Sequence, residues 1–443
     1  MTRSIFSTPM PVRTLVVQAC IGLAAAFGAA PAAAAETVLE APPALPVQPG
    51  FDPLPDRPTL EEFLELVRWR SPALAAERTR IDAARADRIT AGALPNPTVS
   101  GRHQPGRRGE PGERELAIEQ PLPVFGQRGL RIRNAELGIG AAQAQVALGT
   151  ADVQRDAAQA YVALQVAQAR ERRWREALAD VEAAERIVAG QVEAGARSRY
   201  ERTRVAVERA ALSAQAEAMQ AARAQAASRL AALAGAPGWQ PQAEGMPRLP
   251  ATPPPLGLLW ADAQERLPAV RAARAEDAQA RQRIELERRE AWPVPVVGVG
   301  RLRDADGRHT VLGVSVTVPL FDRNEGPIAR ARAEADAQRL RRDAVVRAAE
   351  AELLRAADQF QRRRALADRY AQEALAPLPE LRRMAQDAYT LGRGGILEFI
   401  DALQAVAERQ TTYLDLLEDA LQAELDLRAA TGALGPQATL ATP

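Results

Sequence analysis

The stretch Pro121-Leu122-Pro123-Val124-Phe125-Gly126 has a later counterpart in Val318-Pro319-Leu320-Phe321-Asp322 (319 − 123 = 196). Four further landmarks recur in the same order at nearly the same displacement: Ser71-Pro72-Ala73-Leu74 with Leu267-Pro268-Ala269-Val270, Pro95-Asn96-Pro97 with Pro293-Val294-Pro295, Gly195 with Gly392 (392 − 195 = 197), and Leu233-Ala234-Gly235 with Ala430-Thr431-Gly432. This period is far longer than the roughly 20–50 residues of a solenoid or propeller repeat. The sequence therefore predicts a duplicated structural half and a pseudo-symmetric fold.

Each half opens with a predicted helix that contains one break. The first begins at Thr59-Leu60-Glu61-Glu62, which has the spacing of a capping box, breaks at Ser71-Pro72 and stops at Pro95. The second runs from about Leu258 to Trp292, with a break at Leu267-Pro268. Proline lacks a backbone donor and disfavours helix at the preceding residue, which predicts these breaks.

A β-hairpin is predicted next in each half. Residues 310–318 alternate with a period of two, which places Leu312, Val314, Val316 and Val318 on one face and Gly313, Ser315 and Thr317 on the other. Residues 297–300 are the expected partner strand, with a turn at 304–307, and the first half repeats the layout at 98–104 and 114–122. Four strands are too few to close a barrel, so we expect the sheet edges to pair with neighbouring copies of the chain.

Long helices follow each hairpin. The first is predicted from Gly129 to Glu193 and the second from Pro327 to Leu391, with a kink at Pro377 and Pro379. Gly195 and the cluster at 392–395 mark chain reversals, after which return helices are expected from Arg197 to about Ala234 and from Ile396 to about Ala430. Packing seams are predicted at Val153, Ala157, Ala160 and Leu164 and at Leu414, Leu417, Leu421 and Leu425. Helices of this length need neighbouring chains to bury their faces.

The domain organisation follows from these patterns. Residues 1–35 have the basic start, short apolar run and A-x-A site of a secretory signal peptide; a membrane anchor is the alternative. The remaining divisions are a proline-rich extended strap at 36–58, a first repeat at 59–240, a proline-rich linker at 241–257, a second repeat at 258–434 and a disordered tail at 435–443. Cys20 is the only cysteine, and lipidation there is an alternative to its removal with the signal peptide.

The composition argues against several functions. The formal net charge is +1, with 57 basic and 56 acidic residues, so no bulk field favours nucleic acid. We expect no enzyme, no cofactor and no resident metal, because no catalytic set and no phosphate-binding loop is visible. His103 and His309 lie outside the repeat register (309 − 103 = 206) and are expected to be solvated near loop ends; a transient metal contact at a pore mouth is the alternative.

One acidic pattern accompanies the glycine turns. Glu201 follows Gly195 by six residues and Glu398 follows Gly392 by six, and Asp401 lies three residues after Glu398, on the same predicted helix face. Such residues are either an ordinary solvated face or, in a symmetric oligomer with the turns at a pore tip, rings of negative charge.

The export signal, the duplicated layout and the motif Pro319-Leu320-Phe321-Asp322-Arg323-Asn324-Glu325-Gly326-Pro327 closely resemble the TolC-type outer-membrane efflux proteins. The segment from Glu119 to Arg128 is most similar to the branch that serves heavy-metal cation efflux pumps. The resemblance covers about Thr59 to Gly432.

The resemblance implies a mainly α-helical trimer in which three copies of four strands form a 12-stranded outer-membrane barrel, continuous with a periplasmic α-helical barrel. It implies an inner-membrane pump and a periplasmic adaptor as partners. It places the adaptor-contacting tip at Gly195, Arg197, Ser198, Gly392, Arg393 and Gly395, and the pore constriction at Glu201, Glu398 and Asp401. It makes Leu312, Val314 and Val316 lipid-facing. A gate arginine of the family falls on Gly394 here, with Arg393 one position early.

The resemblance leaves the cargo open. Heavy-metal cations are expected, and drug efflux or type I protein secretion are the alternatives, because the partner pump selects the substrate. A periplasmic coiled-coil scaffold without a pore is a further alternative, although it does not account for the duplicated hairpins.

Overall fold

The computed structural model describes residues 53–106, 112–252, 256–304, 306–391 and 393–434. The predicted signal peptide, most of the strap, Gly392 and the predicted tail lie outside the described residues. The first half consists of α1 (Leu60–Arg70), α2 (Pro72–Gly92), β1 (Thr98–Gln104), β2 (Glu113–Pro121), α3 (Gln127–Glu193) and α4 (Arg199–Leu233). The second half consists of α5 (Leu256–Arg266), α6 (Pro268–Glu290), β3 (Pro295–Asp304), β4 (Gly307–Val316), α7 (Glu325–Tyr370), α8 (Leu378–Thr390) and α9 (Ile396–Ala430). The order of elements is the same in both halves, except that α7 and α8 together occupy the place of α3.

The predicted helix boundaries are set by caps and prolines. The Thr59 hydroxyl accepts a hydrogen bond from the Glu62 backbone N–H at 3.2 Å, and the Glu62 carboxylate accepts one from the Thr59 N–H at 2.9 Å, which confirms the capping box. Pro72 and Pro268 are each the first helical residue after a break. This position suits proline because the N–H it lacks would have no partner within the helix.

Several predicted boundaries are shifted by two or three residues, including the start of α7 and the end of β4. Helix α7 begins at Glu325, so Pro327 is its third residue rather than its first, still within the turn whose N–H groups lack helical partners. Strand β4 ends at Val316 rather than 318, and a tight turn follows, in which the Leu320 N–H donates to the Val318 oxygen at 2.9 Å. The last ladder pair joins Val316 to Pro295, the first residue of β3, so the ladder does not extend to Thr317 or Val318.

The predicted kink in the second long helix is a change of helix type. A π-helical turn at Ala371–Leu375 separates α7 from α8, and the Ala376 N–H donates to the Ala371 oxygen at 3.1 Å. Pro377 follows directly and has no N–H to continue the α-helical ladder. The proline therefore interrupts the helix as predicted, through a π bulge.

The four strands form one antiparallel sheet in the order β1-β2-β3-β4. The two hairpins join where Ala117 of β2 pairs with Gly300 of β3. Gly300 is buried, and a Cβ atom there would lie 3.2 Å from the Ala117 Cβ, so the join requires a small residue. Among the described strands, β1 and β4 each have a single neighbour, and the sheet has two open edges.

Helix α3 is the centre of the helical packing. It contains 67 residues, ~100 Å at 1.5 Å per residue, and packs against α2, α4, α6 and α9. The predicted seams are confirmed: Ala157, Ala160, Leu164, Leu414, Leu417 and Leu425 are buried, and Val153 and Leu421 are half-buried against them. Within the described helices, none combines the length and apolarity that a bilayer crossing requires.

Candidate channel tip and membrane-facing sheet

The first chain reversal connects α3 to α4 at Gly195. Its φ of +73° lies in the left-handed region, which favours glycine, and the residue is exposed. The Ala196 N–H donates to the Gln191 oxygen at 2.8 Å and so satisfies a carbonyl at the end of α3. Ser198 then caps α4, accepting from the Glu201 backbone N–H at 3.3 Å. The predicted reversal is confirmed.

Glu201 is held by its own turn. Its carboxylate accepts hydrogen bonds from the Ser198 N–H at 3.0 Å and the Ser198 hydroxyl at 3.2 Å, and its other oxygen lies 2.9 Å from Arg197 Nη1. The Ser198 backbone bond, followed by Arg197, lowers the pKa of Glu201 below its usual range. Glu201 therefore completes a capping box, a role that Ser198-x-x-Glu201 indicates in the sequence but that was not predicted.

The second reversal has the same type of glutamate cap, but fewer side-chain contacts hold the glutamate. Gly392 lies outside the described residues; Arg393 is exposed, and the Gly394 N–H donates to the Ala388 oxygen at 2.9 Å. Glu398 Oε2 accepts from the Gly395 N–H at 3.3 Å, the counterpart of the Ser198–Glu201 bond. Unlike Glu201, Glu398 is exposed and has no arginine partner among the described residues.

Gly394, the position onto which the resemblance places a gate arginine, lies against Glu398. A Cβ atom at Gly394 would be 3.0 Å from Glu398 Oε2 and 3.2 Å from the Ala388 Cβ. A side chain at 394 would therefore require the Glu398 carboxylate and the Ala388 side chain to shift by a few tenths of an ångström.

Asp401 is the least constrained of the three acidic residues. It is exposed, one helical turn after Glu398, and no described residue forms an ion pair or hydrogen bond with its carboxylate. Within the described residues, no such bond connects Glu201 to Glu398 or Asp401. The structure therefore brings Glu398 and Asp401 to one exposed region of α9 and gives Glu201 a separate, local partner set.

A buried cluster joins the two turns. It contains Trp174, Ala177, Val181, Ala184 and Val188 of α3, Val205, Leu212 and Ala216 of α4, Tyr389 of α8, and Ile396, Ile400, Leu403 and Ala407 of α9. The cluster fixes the positions of both turns, because it contains residues of all four helices that lead into and out of them.

Tyr389 was not predicted as a site residue. Its ring stacks on Phe399 with centroids 5.6 Å apart, and its buried hydroxyl has no hydrogen-bond partner among the described residues. Burial raises the pKa of Tyr389, and the charges of Arg197 and Glu201 act on it in opposite directions. The residue links α8 of the second half to the first turn, a tertiary relation that no local pattern in the sequence reveals.

Polar contacts also connect neighbouring helices near the turns. Arg382 of α8 lies 2.6 Å from Asp180 of α3, and Arg209 of α4 lies 2.9 Å from Glu185 of α3. These pairs are partly solvated, so each contributes little to stability.

The sheet has two chemically different faces. Directly paired residues share a face, so the register places eight apolar side chains together: Val99, Leu116, Ile118, Val297, Val299, Leu312, Val314 and Val316. Leu312 is 79% exposed and Val314 is 72% exposed, although both are apolar. Exposed apolar patches of this kind mark sites of contact with other proteins, ligands or a membrane.

The opposite face is mixed and more polar. It carries Ser100, Arg102, Glu113, Glu115, Glu119, Gly298, Asp304, Gly313 and Ser315, together with Val296, Val311 and Leu302. Arg102 lies 3.8 Å from Glu115 on this face.

The two histidines lie on opposite faces of the sheet. His103 pairs with Arg114 on the apolar face, whereas His309 is on the polar face, with Nε2 3.4 Å from Asp304 Oδ1. No group of three or more potential metal ligands occurs in the part of the chain that the structure describes.

Residues 259–433 match the family model described as outer membrane efflux protein. Over 370 residues, the chain is 27% identical to the cobalt-zinc-cadmium resistance protein CzcC of Cupriavidus metallidurans, covering 82% of this chain and 88% of that protein. The resemblance to the outer-membrane efflux proteins is confirmed. The CzcC match supports the heavy-metal branch of these efflux proteins.

Solved structures of outer-membrane channels share the fold. The Campylobacter jejuni CmeC outer membrane channel superposes with a TM-score of 0.69 at 15% identity, covering 84% of this chain and 85% of that one. CusC superposes with a TM-score of 0.68 at 18% identity, covering 84% of this chain and 91% of that one. These matches confirm a mainly helical architecture with a small sheet, which this chain shares with the two channels.

Proposed function

We propose that this protein is the outer-membrane channel component of a tripartite efflux system and passively conducts heavy-metal cations to the outside. The observation that supports this most directly is the exposed apolar face of a four-stranded sheet joined to long helices. A bilayer offers no hydrogen bonds, so a sheet that enters it must close its edges. In the proposed homotrimer, three such sheets pair through β1 and β4 into a 12-stranded barrel, with Leu312, Val314 and Val316 facing lipid.

The proposed location follows from the same architecture. The barrel lies in the outer membrane, and the helices extend from it into the periplasm, where an adaptor and an inner-membrane pump dock at the turns. We propose the following divisions of the chain: a signal peptide at 1–35, a strap at 36–58, repeats at 59–240 and 258–434 with a linker between them, and a tail at 435–443. The channel itself performs no chemistry, which is consistent with relatives named as channels and resistance proteins.

The experiment that tests the channel proposal is membrane extraction followed by planar-bilayer recording of the purified full-length protein. A barrel requires detergent for release from the outer-membrane fraction and gives stepwise conductance. Release by high salt without detergent, with no conductance, would instead support the periplasmic scaffold.

Heavy-metal cargo is supported by the relative CzcC, whose name states cobalt, zinc and cadmium resistance. A strain that lacks this protein should become sensitive to those metals and regain resistance on complementation. Loss of drug resistance with unchanged metal tolerance would favour the drug-efflux alternative.

The acidic residues of α9 provide a prediction about conduction. Glu398→Gln with Asp401→Asn removes six carboxylates from the proposed trimeric constriction while retaining an acceptor for the Gly395 N–H. We expect a lower cation preference and weaker block by multivalent cations in single-channel recordings at low salt, where charge effects are least screened. Trimer yield should not change.

The charge-matched control is Glu334→Gln with Glu350→Gln, two exposed residues of α7. If the α9 variant has the same selectivity and block as the wild type, Glu398 and Asp401 are an ordinary solvated helix face. If both variants lose selectivity equally, the effect comes from total charge rather than from the constriction.

The proposed adaptor-contacting tip can be tested by crosslinking. Tyr200 is 69% exposed beside the first turn and Arg393 is exposed in the second, so cysteine at either position should crosslink to the adaptor. Both should resist an impermeant thiol reagent added to intact cells. Leu340→Cys, exposed midway along α7, is the control that should not crosslink to a tip-bound adaptor. Labelling of position 200 or 393 from outside the cell would reverse the proposed topology.

A further inference from the structure

A row of basic residues crosses the apolar face of the sheet near the hairpin turns. The register pairs His103 with Arg114, Arg114 with Arg303, and Arg303 with Arg308, so the four residues share one face and lie side by side. At about 4.8 Å between strands, the three arginines are placed within roughly 10 Å across the sheet. All four residues are exposed.

This row has no counter-charge among the described residues. No ion pair or hydrogen bond connects the side chains of Arg114, Arg303 or Arg308 to a described carboxylate. The acidic residues of the strands, Glu113, Glu115, Glu119 and Asp304, all lie on the opposite face. Like charges directly opposite each other destabilise a sheet, so the row favours an anionic partner from outside the chain.

The surroundings of the row indicate what kind of anion it fits. Val314 lies six residues after Arg308, ~20 Å along β4. The exposed apolar stripe of β4, formed by Leu312, Val314 and Val316, lies at the Val314 end of the strand, away from the hairpin turn. A partner that covers the whole face must therefore combine apolar chains with negative groups at one end. An acidic protein segment or a nucleic acid would match the arginines but not the apolar stripe.

We propose that Arg114, Arg303 and Arg308, with His103 beside them, bind the phosphate groups of lipopolysaccharide in the outer leaflet. This inference rests on the proposed outer-membrane barrel, in which the hairpin turns face outward because the other strand ends continue into the periplasmic helices. The planar guanidinium groups donate paired hydrogen bonds to phosphate oxygens, and acyl chains cover the valine and leucine side chains below. Three copies of the row in the trimer would place a basic belt around the barrel.

The test uses the purified full-length assembly in detergent and fluorescent lipopolysaccharide, with the triple variant Arg114→Gln/Arg303→Gln/Arg308→Gln. We expect the variant to bind about tenfold more weakly or worse, because charge-assisted hydrogen bonds to phosphate are lost. The wild type should also prefer intact over dephosphorylated lipopolysaccharide, and its binding should weaken as salt rises.

Two controls separate this effect from charge in general. Arg133→Gln/Arg332→Gln/Arg347→Gln removes the same number of charges from exposed helix positions, and Arg102→Gln removes one from the opposite face of the sheet. Both should bind as the wild type does. The inference is overturned if the triple variant matches the wild type, if phosphate removal has no effect, or if wild-type binding is independent of salt.

Bilayer recording distinguishes this inference from the function on which it rests. In phospholipid bilayers without lipopolysaccharide, wild type and triple variant should both insert and conduct. Intact conductance with unaltered lipopolysaccharide binding in the variant overturns the lipid site alone. Absence of insertion and conductance in the wild type overturns the barrel, and the lipid site with it.

Discussion

Replacing Phe63 with alanine is expected to lower the free energy of unfolding by about 3–5 kcal/mol, the usual cost of deleting a buried aromatic side chain. Phe63 is fully buried, and its ring stacks on Tyr161 and Trp239 with centroid distances of 6.1 and 6.3 Å. These three rings join α1, α3 and the segment after α4. Among the described aromatic pairs, Phe63 is the residue that stacks on both of the other rings. Its deletion therefore leaves a cavity in the buried cluster that Phe63 forms with Leu66, Tyr161, Leu164 and Leu230.

The same cluster also holds the end of the strap. The Tyr161 hydroxyl donates to the Pro58 oxygen at 2.9 Å, and Trp239 Nε1 donates to the Pro55 oxygen at 3.2 Å. Burial raises the pKa of Tyr161 to about 12, so the hydroxyl remains a hydrogen-bond donor even in alkaline solution. We expect Phe63→Ala to loosen this docking as well as the helix packing.

Guanidinium titration of the detergent-solubilised protein at fixed concentration, followed by circular dichroism, measures the effect. Phe321→Ala is the matched control, because Phe321 is completely exposed in the single chain, and its removal should change the unfolding free energy little. A loss below about 1 kcal/mol for Phe63→Ala would mean that the cluster collapses around the cavity or contributes little to stability.

The helical layout could be predicted because its boundaries have local causes. Thr59 caps α1, Pro72 and Pro268 restart helices after a break, and α9 occupies Ile396–Ala430 as predicted. In each case, the residue that determines the boundary acts on its own backbone or within one helical turn. A single sequence contains that information.

The acidic residues near the turns are supported by local contacts as well. Ser198-x-x-Glu201 has the same capping pattern as Thr59-x-x-Glu62, so the sequence indicates the local role of Glu201. Arg197, which pairs with Glu201, and Gly394, which lies against Glu398, each precede the glutamate by four residues. What the local sequence does not reveal is that Tyr389 of α8 joins the buried cluster between the two turns.

The chemistry of the sheet could be predicted from the local sequence only in part. Alternation within β4 predicted which of its residues share a face. The basic row, however, depends on how β2 aligns with β3, since Arg114 meets Arg303 only through pairing between the two hairpins. That register is fixed by long-range packing, including the close approach of Gly300 to Ala117, and no local signal specifies it.

Val314→Arg is expected to reduce trimer assembly in the outer membrane strongly, with a cost of about 2–4 kcal/mol for each chain if the position lies near the bilayer midplane. Val314 is 72% exposed on the apolar face, directly opposite Val297 of β3. A guanidinium there would have to lie in hydrocarbon or distort the barrel to reach the interface. The yield of detergent-resistant trimer in the outer-membrane fraction measures the loss.

Ser315→Arg supplies the matched control, because it adds the same side chain one residue later in the same strand. Ser315 pairs with Val296 on the more polar face, which the proposed barrel directs toward the aqueous lumen. The arginine remains hydrated there, so assembly should be close to that of the wild type, with altered conductance. Positions 314 and 315 are adjacent but lie on opposite faces of the sheet. The comparison therefore changes the face while β-propensity and strand position stay nearly constant. Equal assembly of the two variants would contradict the lipid-facing assignment, and greater damage from Ser315→Arg would reverse the two faces.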